Sequence, residues 1–172
     1  MTLAAPKIDT HAALQWSLPD EIVLDLNVPN RWEALRAISA MIERARGLSA
    51  PPTFRALWRR EQAASTALGR GFALPHARVE GIIKPVTVYV RTRRPIAFAA
   101  PDHRAVAELL VILVPNDADN AKHLRLLALV AEMFSEYGFR TRLLRARDES
   151  SVRSTFGSWL LARNDVTSWE LR

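Results

Sequence analysis

Four histidines are the side chains of this 172-residue sequence whose ordinary pKa lies near neutrality, and their surroundings differ. His76 closes the stretch STALGRGFALPHARVEG, running from Ser65 to Gly81. Pro75 fixes its own φ and pushes Leu74 into an extended conformation, so the chain enters His76 along a defined path. Gly69 and Gly71 can take backbone angles closed to other residues, which would let peptide N–H groups converge near the imidazole. Two readings stay open on these residues alone: a ring that fills core or loop, and a ring presented at the surface among donors. His123 falls in the first two turns of an expected helix, beside Leu124 and Leu127. It is either a boundary residue at the end of an apolar stripe or a partner for an anion at the positive end of a helix dipole. His11 and His103 sit in polar, turn-like or terminal surroundings and are expected to be solvated.

Most other site chemistry is excluded. The absence of cysteine removes disulfides, thiolate metal sites and cysteine nucleophiles. There is no His-x-x-x-His pair or other compact ligand cluster, so neither a metal nor a cofactor is expected. No phosphate-binding Gly-x-x-x-x-Gly-Lys-Ser/Thr run and no Gly-x-Ser-x-Gly elbow occurs. What remains is a histidine acting as nucleophile toward a phosphoryl group, for which neutral imidazole is competent. A loose phosphoryl transition state needs positioned donors and positive charge, which Arg60, His123 and the loop amides of Gly69 and Gly71 would supply.

The elements that must hold these residues are legible in outline. IVLDLNVPN reads as a strand that sets Leu24, Leu26 and Val28 on one face against Val23, Asp25 and Asn27 on the other. Asn30, three residues before Glu33, has capping-box spacing and predicts a helix from Arg31, with Leu35, Ile38, Met41 and Ile42 inward and Gly47 near its end. SAPP breaks the chain, and a second helix is expected over Thr53 to Ala64, with Phe54, Leu57 and Trp58 inward. KPVTVYVRT and AELLVILVP read as strands, the second apolar enough to be central and covered on both faces. DADNAKHLRLLALVAEMFSEYG predicts a helix whose stripe is Leu124, Leu127, Ala128, Ala131 and Phe134, followed by Gly138. A last helix begins near Asp148. The expected fold class is α/β (α+β): one domain, with a mixed sheet flanked by helices. The domain is expected over residues 16–163, with tails at 1–15 and 164–172.

At 49% apolar and 24% charged residues, the composition fits a soluble globular domain. No apolar run reaches the ~18 residues that span a bilayer, and the N-terminus lacks the pattern of a secretory leader. The chain is read as cytoplasmic. The net charge of +6 comes almost entirely from arginine, which permits anionic partners. The arginines are scattered without aromatic interleaving, so nucleic-acid binding is not expected.

The segments RREQAASTALGRGFALPH, RRPIAFAAPD, LVILVP and DNAKHLRLLALVAEMF, in that order over about Leu18 to Leu161, resemble the EIIA domains of the fructose/mannitol superfamily of the bacterial phosphotransferase system. The likeness is greatest to the nitrogen-regulatory (EIIA-Ntr) type. The resemblance implies a mixed sheet sandwiched by helices, and phosphorylation of His76 by the phosphohistidine of an HPr-like carrier (NPr type). It further implies that His123 hydrogen-bonds the phosphate, that Arg60 helps position it, and that Ser65 and Thr66, in the loop leading to the histidine, support phosphate binding. Implied partners are regulatory targets such as potassium-transport components or sensor kinases, with no nucleic acid and no membrane span. Two departures stand out: Ala77 where many members have glycine, and Glu108 as the acid of a strand whose usual acid lies one position earlier, at Ala107 here.

No EIIB-like or membrane segment accompanies the domain in this sequence, so a phosphorylation-dependent regulator is expected rather than a component of sugar turnover. The alternatives are a sugar-specific EIIA that passes phosphate to a separate EIIB, and a phosphorylation-independent binding module.

Overall fold

The computed structural model describes residues 18–169, so the tail expected over residues 1–15 lies outside the described residues. Among the described residues six strands and five helices follow in this order: β1 (Glu21–Leu26), α1 (Arg31–Arg46), α2 (Ala50–Ala63), β2 (Ala67–Gly69), β3 (Phe72–Ala73), β4 (His76–Val79), β5 (Val86–Ile96), β6 (Val106–Pro115), α3 (Asn120–Ser135), α4 (Tyr137–Arg145) and α5 (Glu149–Trp169). The sheet runs β1-β5-β6-β3-β2, and β4 also pairs with β6, in line with β3. β1–β5, β3–β6 and β4–β6 are parallel, whereas β5–β6 and β2–β3 are antiparallel, which makes the sheet mixed.

β6 is the axis of the molecule. Its side chains alternate between two cores: Leu110, Ile112 and Val114 face α3, α4 and α5, and Leu109, Val111 and Leu113 face α1 and α2. A strand packed on both faces has no position for an exposed polar residue, which is why its sequence is almost continuously apolar. Glu108 is the exception and is fully buried. Its carboxylate accepts from the Tyr89 hydroxyl at 2.9 Å and from Arg140 at 2.8 and 3.2 Å. The displaced acid therefore turns into the core and finds an ion-pair partner there; β6 keeps one register against β5 from Leu113 to Glu108, and the register shifts just beyond it, between Arg91 and Ile96.

The expected helix start is met: Asn30 Oδ1 accepts from the Glu33 amide at 2.9 Å, and Gly47 ends α1 with φ 70°. Four expectations are corrected. Asp25 takes φ 60° at a register shift between Val23 and Leu26, so Leu24 joins one core while Leu26 and Val28 join the other. A bulge of this kind breaks the period of two on which the expected face rested. The prolines of SAPP sit in the first turn of α2, where their missing N–H costs nothing, so this helix starts at Ala50. The buried residues of α3 are Leu126, Val130, Met133 and Phe134, whereas Leu124 is exposed. A leucine-rich helix supports more than one stripe, and the sheet selects the phase. Gly138 lies inside α4 rather than ending α3.

Candidate functional site

His76 opens β4, whose pairing of His76 with Ile112 sets it against the middle of β6. The amide of Leu74 donates to the Thr66 carbonyl at 3.0 Å and the amide of Ile112 donates to the Pro75 carbonyl at 2.9 Å, so the approach to the histidine is held on both sides. His76 Nδ1 lies 2.8 Å from the Leu74 carbonyl oxygen. A carbonyl can only accept, so Nδ1 carries the proton and Nε2 holds the free lone pair. The Nε–H of Arg60 donates to that Nε2 at 3.0 Å, and Arg60 Nη1 is anchored on the Ala64 carbonyl at 2.8 Å.

His123, four residues into α3, meets His76 edge-on, with ring centroids 5.6 Å apart at 74°. Its Nε2 is buried without a hydrogen-bond partner among the described residues. Burial lowers the His123 pKa to about 4, aided by the charges of His76, Arg78 and Arg60. Burial also lowers the His76 pKa; the Leu74 hydrogen bond opposes this and the Arg60 charge adds to it. Both rings are therefore neutral at pH 7, and among the described residues the unprotonated Nε2 of His76 accepts only the Arg60 N–H.

An open cleft of about 530 Å³ joins these groups, lined by Arg59, Arg60, His76, Arg78, Asn116 and His123 together with three alanines. No acid lines it. Arg78 and Asn116 escaped the sequence reading. Arg78 stands two residues beyond His76 on a strand, which puts both on one face, so the His-x-Arg pattern was the available signal. Its guanidinium donates to the carbonyls of Asn116 and Ala118 at 3.0 and 2.7 Å and to Asn120 Oδ1 at 2.6 Å. These bonds fasten β4 to the turn that starts α3, and hence His76 to the element carrying His123.

The remaining expected residues lie elsewhere. Ser65 Oγ donates to the Phe98 carbonyl at 2.7 Å. Thr66 gives both its amide and its hydroxyl to Glu61 Oε2, at 3.0 and 2.6 Å, and the buried Glu61 is paired with Arg31 at 3.2 Å. Both hydroxyls thus brace the loop rather than line the cleft. Gly69 and Gly71, at φ 85° and 79°, form the turn between β2 and β3. Pairing sets Phe72 opposite Glu108 and His76 opposite Ile112. Four residues of strand separate those two positions, or ~13 Å, so the glycine amides do not converge on His76. The turn is shaped instead by Asp102, which accepts the Arg70 amide at 2.6 Å, and by Arg140, which donates to the Arg70 carbonyl at 2.6 Å. No cluster of residues able to hold a metal ion occurs among the described residues, and no described helix is long and apolar enough to cross a membrane.

The mixed sheet between two helical layers is the fold that the chain shares with solved IIA proteins of the phosphotransferase system. Residues 18–158 match the family model described as phosphoenolpyruvate-dependent sugar phosphotransferase system, EIIA 2, and the chain belongs to that family. It is 36% identical over 120 residues to the nitrogen regulatory protein of Klebsiella oxytoca, covering 69% of this chain and 74% of that one. With the nitrogen regulatory protein of Escherichia coli it shares 37% over 122 residues, 69% and 73% of the two chains. The crystal structure of the nitrogen regulatory protein IIA-Ntr from Neisseria meningitidis superposes with a TM-score of 0.76 at 32% identity, covering 83% of this chain and 99% of that one. The IIA mannitol domain of E. coli, at 19% identity and TM-score 0.66, shares the fold over 79% and 95% of the two chains.

Proposed function

We propose that His76 accepts a phosphoryl group on Nε2 from the phosphohistidine of an HPr-like carrier (NPr type), and that the phosphorylated protein acts as a regulator. The observation that carries this reading is the Leu74 carbonyl on Nδ1, which leaves the Nε2 lone pair facing a cleft of arginines. In the transfer, that lone pair forms the new N–P bond as the donor's N–P bond breaks, and the donor imidazole leaves with the released electron pair. Nδ1 keeps its proton against Leu74. Arg60, whose N–H rests on Nε2 beforehand, is freed as the lone pair is used and turns to a phosphoryl oxygen. The unpartnered Nε2 of His123, in its protonated tautomer, supplies a second donor.

The added group brings a charge of about −1.5 to −2 into a cationic cleft. That change is the signal, read by partners of the kind the nitrogen-regulatory resemblance implies, potassium-transport components and sensor kinases among them. The test is incubation with enzyme I, an HPr-type carrier and phosphoenolpyruvate. Wild type gains acid-labile phosphate and His76→Ala gains none. Equal labelling of the two proteins, or none of wild type, refutes the proposal. Onward transfer to a separate EIIB would move the protein to the sugar-uptake branch.

A further inference from the structure

The His76 cleft continues along α2 into a second one of about 700 Å³, whose lining includes Arg46, Arg55, Arg59, Arg78 and Glu80. Ala56, Arg59, Arg78 and Asn116 border both. Arg55 and Arg59 are exposed and stand one helical turn apart, so they lie on the same face. Among the described residues neither Arg55, Arg59, Arg60 nor Arg78 has a carboxylate partner. Arg78 is held by carbonyl and amide oxygens, which fix it without cancelling its charge. Arg46 is already paired with Asp20 and Glu21, and Glu80 is the lone acid of the second cleft. The far side of the site has another character: Ile83, Pro85, Asp117, Asp119 and Lys122 surround His123 there, and Ile83 is fully exposed. Positive charge is thus concentrated on the α2 side of His76 alone.

We infer that the phosphoryl donor docks through an acidic patch laid on the Arg55–Arg59–Arg78 strip. This rests on the reading of His76 as phosphoryl acceptor. A protein that brings its own phosphohistidine to Nε2 must cover the surface around the cleft, and on the α2 side that surface is cationic. Charge complementarity there steers encounter and fixes the donor's orientation. A nucleic acid is the poorer occupant, because no Phe, Tyr or Trp lines either cleft for base stacking and Asp117 and Asp119 stand at the other rim. Transfer also loosens the complex: the phosphoryl group partly neutralises the strip while the carrier loses its own negative charge.

Charge variants distant from Nε2 separate docking from chemistry. Arg55→Glu and Glu80→Lys are compared with wild type in two labelling reactions. One uses the HPr-type carrier encoded in the same genome, charged by its enzyme I. The other uses phosphoramidate, which needs no docking: its P–N bond breaks, ammonia leaves and Nε2–P forms. At low ionic strength Arg55→Glu lowers the second-order rate with the carrier about tenfold and Glu80→Lys raises it a few-fold. Both differences shrink near 1 M salt, where screening acts within ~3 Å. Phosphoramidate labels all three proteins alike. Equal carrier rates for the three proteins at low salt overturn the docking inference while leaving His76 as acceptor intact. So does loss of DNA or RNA binding in Arg55→Glu with an unchanged carrier rate. A wild type labelled by neither donor removes the acceptor reading, and the docking inference falls with it.

Discussion

Replacing Arg78 by alanine removes the fastener between the two halves of the site. Three contacts are lost at once, to the Asn116 and Ala118 carbonyls and to Asn120 Oδ1, all between 2.6 and 3.0 Å. Asn116 and Asn120 are exposed and Ala118 half-buried, so water replaces much of what the guanidinium provided. The stability cost is therefore that of a partly solvated charged donor, about 1–2 kcal/mol, rather than of three orphaned buried acceptors. For a domain of this size that lowers Tm by about 2–8 °C. The effect on phosphorylation is larger. His123 follows directly on this turn, and a loosened turn lets its ring drift from the phosphoryl position, where a displacement near 1 Å costs on the order of 100-fold. Single-turnover labelling from the carrier at a temperature where the variant is fully folded should fall by about 10–100-fold. Arg78→Lys, which keeps one charge but cannot fork over three acceptors, should fall between the two. A labelling rate within twofold of wild type in a folded Arg78→Ala protein refutes the claim that this residue positions the site.

Histidine titration by NMR should place the His123 midpoint at about 4 and that of His76 below the ordinary 6.5. Because folding depresses these values, their neutral forms contribute stability above about pH 6.5 that is lost as pH falls through the folded-state midpoints; urea midpoints across pH 7 to 4 check the sign. Glu61→Ala, which takes the acceptor from the Thr66 amide and hydroxyl and leaves Arg31 without its carboxylate, should lower stability by about 2–3 kcal/mol in urea unfolding. Gly69→Ala should cost about 1–2 kcal/mol, since its backbone sits at φ 85° and a new Cβ would lie 3.2 Å from Asp102 Oδ2, with labelling of His76 unchanged.

What the sequence disclosed and what it withheld follow from the range of the interactions. Asn30 with Glu33, Gly47 after α1 and the apolar run of β6 are local or one-dimensional patterns, and each appears in the structure where the pattern put it. The grouping of Arg60, His76 and His123 was suggested by the donors a phosphoryl group needs and specified by the family resemblance, since no spacing along a chain shows that α2, β4 and α3 meet. The glycines misled for a related reason. Their positive φ was readable, but which groups their turn faces depends on β3 and β4 binding consecutive stretches of the same strand, a nonlocal fact. Ser65 and Thr66 misled because a hydroxyl beside a site is chemically indistinguishable, in sequence, from one that braces a loop. The phase of α3 was decided by the sheet beneath it, and the Asp25 bulge by pairing with β5.

The most direct test of the central claim is the position of the N–P bond. Protein labelled with ¹⁵N in its histidine rings, phosphorylated by carrier and phosphoenolpyruvate and examined by ³¹P and ¹⁵N NMR, should show one phosphoryl group on Nε2 of His76. The proton should remain on Nδ1, donated to the Leu74 carbonyl. A phosphoryl group on His76 Nδ1 or on His123, or none at all, contradicts the account.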